Sequence, residues 1–155
     1  MRCARTAACL FAAGFVLALS ACGESDPAEG LLSNVDKARN AKSLAGLQTS
    51  LVTLGLIQAD AAGGGDIAAA LQAKDPTNRY TTTAPTDAGI VQVAGGGGAP
   101  VMLTTINSAP AAGRAPVYLA AWQATGTTMY YAGAQPPAYS SSAPAGAGWS
   151  ATPPQ

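Results

Sequence analysis

Val117-Tyr118-Leu119-Ala120-Ala121-Trp122-Gln123-Ala124-Thr125-Gly126-Thr127-Thr128-Met129-Tyr130-Tyr131 is the stretch that decides the fold class. Two runs rich in β-branched and aromatic residues flank a short polar segment ending in glycine, which is the pattern of a β-hairpin. Shorter runs of the same texture precede it. They predict strands over 80–83, 90–94 and 101–106, followed by the hairpin strands 117–123 and 127–131. Gly95 to Gly98 reads as a flexible hairpin connection, and 108–116 as a longer Pro/Gly loop.

Upstream of this meander the period changes. Leu31, Val35, Ala38, Leu44, Leu47, Leu51 and Leu54 form one apolar stripe at helical spacing, which predicts a helix over 34–56. Ser33 and Asp36 have the spacing of a capping box at its start. Lys37, Arg39, Asn40 and Lys42 fall on the opposite face. Gly63-Gly64-Gly65 breaks the chain, and Asp66 is placed to cap a short second helix over 67–73, which Asp75-Pro76 ends. The expected fold is therefore α+β: one long amphipathic N-terminal helix packed on an antiparallel β-meander. Val91, Val93, Met102 or Leu103, Leu119 and Tyr131 are the expected sheet partners of the helix stripe. The domain spans 31–132. Residues 133–155 form a Pro/Ala/Ser/Gly-rich tail of extended coil, from which Trp149 is expected to dock back.

The N-terminal segment has a different character. Arg2 and Arg5 precede an apolar run that ends at Leu19-Ser20-Ala21-Cys22. This is the layout of a signal peptide over 1–21, too short for a spanning helix. The four residues resemble the lipobox of bacterial lipoproteins. The resemblance implies that Cys22 is diacylated at sulfur and begins the mature chain, so that the membrane is a partner through that anchor. Residues 22–30 then make an acidic tether, and the expected location is the extracytoplasmic face of the cell membrane or outer membrane. Cys3 and Cys9 leave with the signal, so Cys22 has no partner for a disulfide or a thiolate metal site.

Composition excludes several chemistries. The chain has no histidine, which removes the commonest neutral-pH base and metal ligand and with it histidine-assisted Ser or Cys catalysis. The signal carries two of the eight basic residues, leaving six against eight acidic ones and no basic field for nucleic acid. No catalytic residue, metal site or cofactor is expected. Asp36, Asp60, Asp66, Asp75 and Asp87 are the carboxylates outside the tether, and most sit where turns and helix starts want an aspartate. A carboxylate hydrolase would need two of them to converge.

The soluble part also resembles the headgroups of type IV pilins and pseudopilins. The resemblance rests on the element order, on Lys37-Ala38-Arg39-Asn40-Ala41-Lys42-Ser43-Leu44 through Leu54, and on the hairpin from Ala120 to Tyr131. A lipobox and a polar tether stand where a pilin has its peptidase site and apolar half-helix. The implied protein is a headgroup on a lipid tether, a non-enzymatic envelope component acting by contact with a secretion or surface-fibre assembly. Tyr118, Trp122, Tyr130 and Tyr131 are the candidate contact surface. The alternative is a carrier of a small apolar ligand or lipid, held between helix and sheet.

Overall fold

A computed structural model describes residues 27–60, 65–107 and 115–154, with side chains from Asp36 onward. The chain falls into two compact units, 1–34 and 35–155. Of the first, only the helical backbone from Pro27 is described. Leu19 to Cys22, the expected lipobox, lies outside the described residues, as does most of the loop 108–116.

Helix α1 is Pro27–Ala59 and α2 is Ile67–Lys74. The strands are β1 (Arg79–Thr81), β2 (Ile90–Gly95), β3 (Val101–Ile106), β4 (Tyr118–Ala124), β5 (Thr127–Gly133) and β6 (Trp149–Ser150). They form one sheet in sequence order. The α+β class is as expected; the all-antiparallel meander is not. β1 runs parallel to β2, with Arg79 opposite Ile90, while every later pair is antiparallel. A parallel return usually needs a long crossover. Here β1 is only three residues, so the eight residues 82–89 reach back past it with chain to spare.

Helix α1 starts at Pro27, seven residues before the expected position, so residues 27–30 are helical and not tether. Proline suits a first helical position because its missing N–H would have no partner there. Ser33 lies inside the helix rather than capping it. Asp36 instead faces Arg39 at 3.9 Å. Asp66 does cap α2, accepting from the backbone N–H groups of Ala68 and Ala69 at 2.9 and 3.2 Å.

The core lies between α1, α2 and one face of the sheet. Leu47 and Leu54 of α1, Leu71 of α2, and Val91, Val93, Val101, Leu103, Leu119 and Ala121 of the sheet are buried together. Leucines of this kind each contribute roughly 1.5–3 kcal/mol on burial. Ala38, expected in the stripe, is exposed, and Ser43 and Ser50 occupy the buried line instead. Each hydroxyl is bonded there, Ser43 to the Ile106 carbonyl at 3.1 Å and Ser50 to its own helix at Gly46. Two backbone-bonded serines thus take places that a purely apolar reading of the period leaves to alanine.

The hairpin places Tyr130, not Tyr131, on the helix side. The connection is the two-residue turn Thr125-Gly126, with Ala124 opposite Thr127 and Gly126 in the left-handed region. Ala121 therefore faces Tyr130 and Ala120 faces Tyr131. A shift of one residue exchanges the two faces of a strand. Met102 likewise belongs to the far face and Leu103 to the core.

Residues 134–154 are not free coil. β6 adds to the edge of β5, and Trp149 meets Tyr131 with ring centroids 5.3 Å apart. Three further bonds fix the segment. The Trp122 indole N–H donates to Ser140 O at 2.8 Å, Tyr131 to Gln135 O at 2.9 Å, and Tyr139 to Pro100 O at 3.0 Å.

Candidate functional site

The four aromatic residues divide between the two faces of the hairpin. Tyr118, Trp122 and Tyr131 share the far face by register, and Tyr130 packs against the core. Trp122 is only 3% exposed, its indole capped by Ser140 O, and Tyr131 stacks at a tilt on Trp149. The set therefore makes no continuous outer surface. Its largest member is closed over by the chain's own C-terminal segment.

A second cluster joins the helices to the first strand. Asp75, 4% exposed, accepts from the Thr77 backbone N–H and hydroxyl, from Asn78 Nδ2 at 3.0 Å and from the Tyr80 hydroxyl at 2.5 Å. Tyr80 has one proton and gives it to Asp75, so the Ser50 hydroxyl donates in its 2.8 Å pair with Tyr80, its one proton shared between the Tyr80 oxygen and the Gly46 carbonyl. Burial raises the Asp75 pKa, but the donors from Thr77, Tyr80 and Asn78 outweigh it and hold the carboxyl at about 2. Burial, and then the bond to Asp75, pushes the Tyr80 phenol up to about 12. A carboxylate with four donors and a phenol that resists ionisation form a structural tie. Neither is poised to move a proton near neutral pH.

The other aspartates have local tasks. Asp60 pairs with Lys74 at 2.6 Å, Asp66 caps α2, and Asp87 accepts from the Ala88 N–H at 2.7 Å. Among the described residues no group of three His, Cys, Asp or Glu side chains is placed to hold a metal. No described helix is long and apolar enough to cross a membrane.

The space between helix and sheet, where the alternative reading places an apolar ligand, is filled by Leu47, Leu54, Leu103 and Ala121. A cleft of about 670 Å³ opens instead at one end of the sheet. The end of α1, α2, the glycine turn between β2 and β3, and the β4–β5 turn converge on it. Ile57, Ile67, Ala70 and Val101 give apolar wall, and Asp60 and Lys74 stand at its edge. Gln123 enters from β4. It follows Leu119 and Ala121 on the helix-facing side, but one step beyond the sealed core. Its Oε1 is buried and accepts no hydrogen bond from any described residue. Alternation along β4 in the sequence already marks Gln123 as a polar side chain on a core face.

No family model, no curated protein and no solved structure matches this chain.

Proposed function

We propose that this is a lipid-anchored, non-enzymatic protein on the extracytoplasmic face of a bacterial envelope, acting by protein contact as a pilin-like accessory of a secretion or surface-fibre assembly. The anchor is Cys22, at the end of Leu19-Ser20-Ala21-Cys22. The observation that supports contact best is the outer face of α1. Between residues 43 and 59 the helix has no charged residue. Val52 and Leu56, one turn apart, are 67% and 58% exposed. Apolar side chains adjacent on a solvent-facing helix mark an interaction site. Packing one stripe of a long helix on a sheet while the other stays bare also suits a headgroup that docks by its helix.

A photo-crosslinking residue at position 52 in intact cells tests this. A pilus or secretion component should be captured from position 52, but not from the exposed control position Thr86. Capture should fail in Cys22→Ala, which releases the protein from membranes or leaves an unprocessed precursor. Identical products from both positions would overturn the contact reading. Normal processing and membrane recovery of Cys22→Ala would overturn the anchor.

A further inference from the structure

From the cleft at the end of the sheet we infer a binding site for an uncharged small molecule with an apolar body and one hydrogen-bond donor. This goes beyond the contact function and does not depend on it. Three features of the cleft carry the assignment.

The first is size and wall. About 670 Å³ lies within the range of small-molecule sites, roughly 300–1,000 Å³. Ile57, Ile67 and Ala70 supply apolar surface from α1 and α2, and the buried Val101 of β3 borders it. The glycine turn keeps the opposite wall bare. Gly96, Gly97 and Gly98 all have positive φ, where other residues are strained. At Gly96 a Cβ would also come within 2.6 Å of Ile67 Cδ1. No side chain can enter the cleft from that turn without cost.

The second is the single buried acceptor. Gln123 Oε1 has lost water and gained no described donor. An orphaned buried acceptor destabilises the empty site, and a ligand hydroxyl or N–H recovers that loss on binding. This selects a donor at one end of the ligand.

The third is charge. The ionic groups at the rim, Asp60 and Lys74, already neutralise each other at 2.6 Å. A charged ligand would have to break that pair or lie uncompensated against apolar wall, so a neutral one is preferred.

The other strong places in the fold do not compete. The Ser50–Tyr80–Asp75 network is saturated by its own hydrogen bonds. Trp122 on the far face of the sheet is closed over by the C-terminal segment.

The test uses the full chain carrying Cys22→Ser, so that no acyl group competes, and N-phenyl-1-naphthylamine as probe. This molecule is uncharged, aromatic and has one N–H, and its fluorescence rises in apolar sites. Saturable binding of one probe per chain is expected. Ala70→Phe and, from the other wall, Thr125→Trp should each weaken it at least tenfold while the circular dichroism stays native. Val52→Ser with Leu56→Ser should leave it unchanged, which separates the cleft from the exposed helix face. Gln123→Leu should weaken binding of this probe about tenfold, yet leave binding of its N-methyl analogue, which lacks the donor, unaltered. A rise that does not saturate, or equal binding by the two filled-cleft variants, overturns the site. Equal affinity of wild type for probe and N-methyl analogue overturns the role of Gln123.

Discussion

The hydroxyl of Tyr80 donates to Asp75 Oδ2 at 2.5 Å, a bond that ties the first residue of the sheet core to the end of α2. Ser50 extends the same tie into α1 through its 2.8 Å bond to the Tyr80 oxygen. Asn78 Nδ2 braces the two ends, its two protons shared among Asp75 Oδ2, Ser50 Oγ and the Gly46 carbonyl. Three elements are thus locked by one buried polar knot. It stands beside the apolar core and fixes which turn of α1 meets β1. Buried networks of this kind are costly when half satisfied, which gives the knot a measurable signature.

Tyr80→Phe removes the central proton without changing shape. Asp75 keeps its Thr77 and Asn78 donors, so the loss should be about 2 kcal/mol, within the usual cost of unpairing a buried group. Ser50→Ala, at the end of the chain of bonds, should cost about 1 kcal/mol. Urea denaturation of both variants measures this. Midpoints indistinguishable from wild type would show that the knot contributes nothing to stability.

Asp75 also predicts an acid limb. Its pKa is about 2 in the folded chain against 3.8 for a free carboxyl. A depressed folded pKa means that the unfolded chain takes up the proton first as pH falls. The stabilisation is complete above about pH 5 and is lost between there and pH 2. At roughly 1.4 kcal/mol per pKa unit the loss is about 2 kcal/mol. Asp75→Asn should be less stable than wild type at pH 6, and the gap should close toward pH 2. Parallel stability curves for the two proteins across that range would refute the assignment.

Gly96 is required twice over, by backbone and by packing. Its φ of 113° strains any other residue, and a Cβ would strike Ile67 Cδ1. Gly96→Ala should cost about 2–4 kcal/mol, from strain of roughly 1–3 and overpacking of similar size. Adding Ile67→Val, which deletes the struck methyl, should return the packing part alone. Gly97→Ala meets no atom within 4 Å and should cost about 1 kcal/mol. Thermal midpoints of the four proteins separate the two causes; no recovery in the double variant would assign the whole cost to backbone strain.

Much of the fold was legible because it is local. The leucine period of α1, the cap at Asp66 and the hairpin through Gly126 each depend on neighbours a few residues apart. What was missed depends on distant ones. Nothing near Arg79 indicates that β1 runs parallel to β2, because direction is set by which edge the returning chain reaches. The exchange of Tyr130 for Tyr131 follows from a turn of two residues, where strands over 117–123 and 127–131 leave three. The cleft was illegible for the same reason. Its walls come from residues 57–60, 65–74, 96–101 and 123–125, which only the closed sheet brings to one end. The resemblance to a lipobox rests on Leu19-Ser20-Ala21-Cys22 alone, and those residues lie outside the ones described.

Trp149 docks back on the domain as expected, but as part of a strand rather than from free coil, and it gives the last prediction. Pro, Ala, Ser and Gly around it read as coil, yet Trp149 sits opposite Tyr131 in β6, with the rings tilted by 51°. Gly148 precedes it with φ of 87°, and a Cβ there would meet Tyr131 at 2.6 Å, so glycine lets the segment lie flush against the ring. The Ala132 N–H then donates to Gly148 O at 3.2 Å. A two-residue strand cannot hold itself by backbone bonds alone; the ring contact, about 0.5–1.5 kcal/mol beyond its buried area, makes the pairing persist. Trp149→Ala should therefore free the Ala132 amide, raising its hydrogen-exchange rate about tenfold or more. The Leu103 amide, in the centre of the sheet, should not change. If both amides stay protected, Ser140 and Gln135 hold the segment and Trp149 is dispensable. If both lose protection, the C-terminal segment is part of the cooperative core, and the sheet does not stand without it.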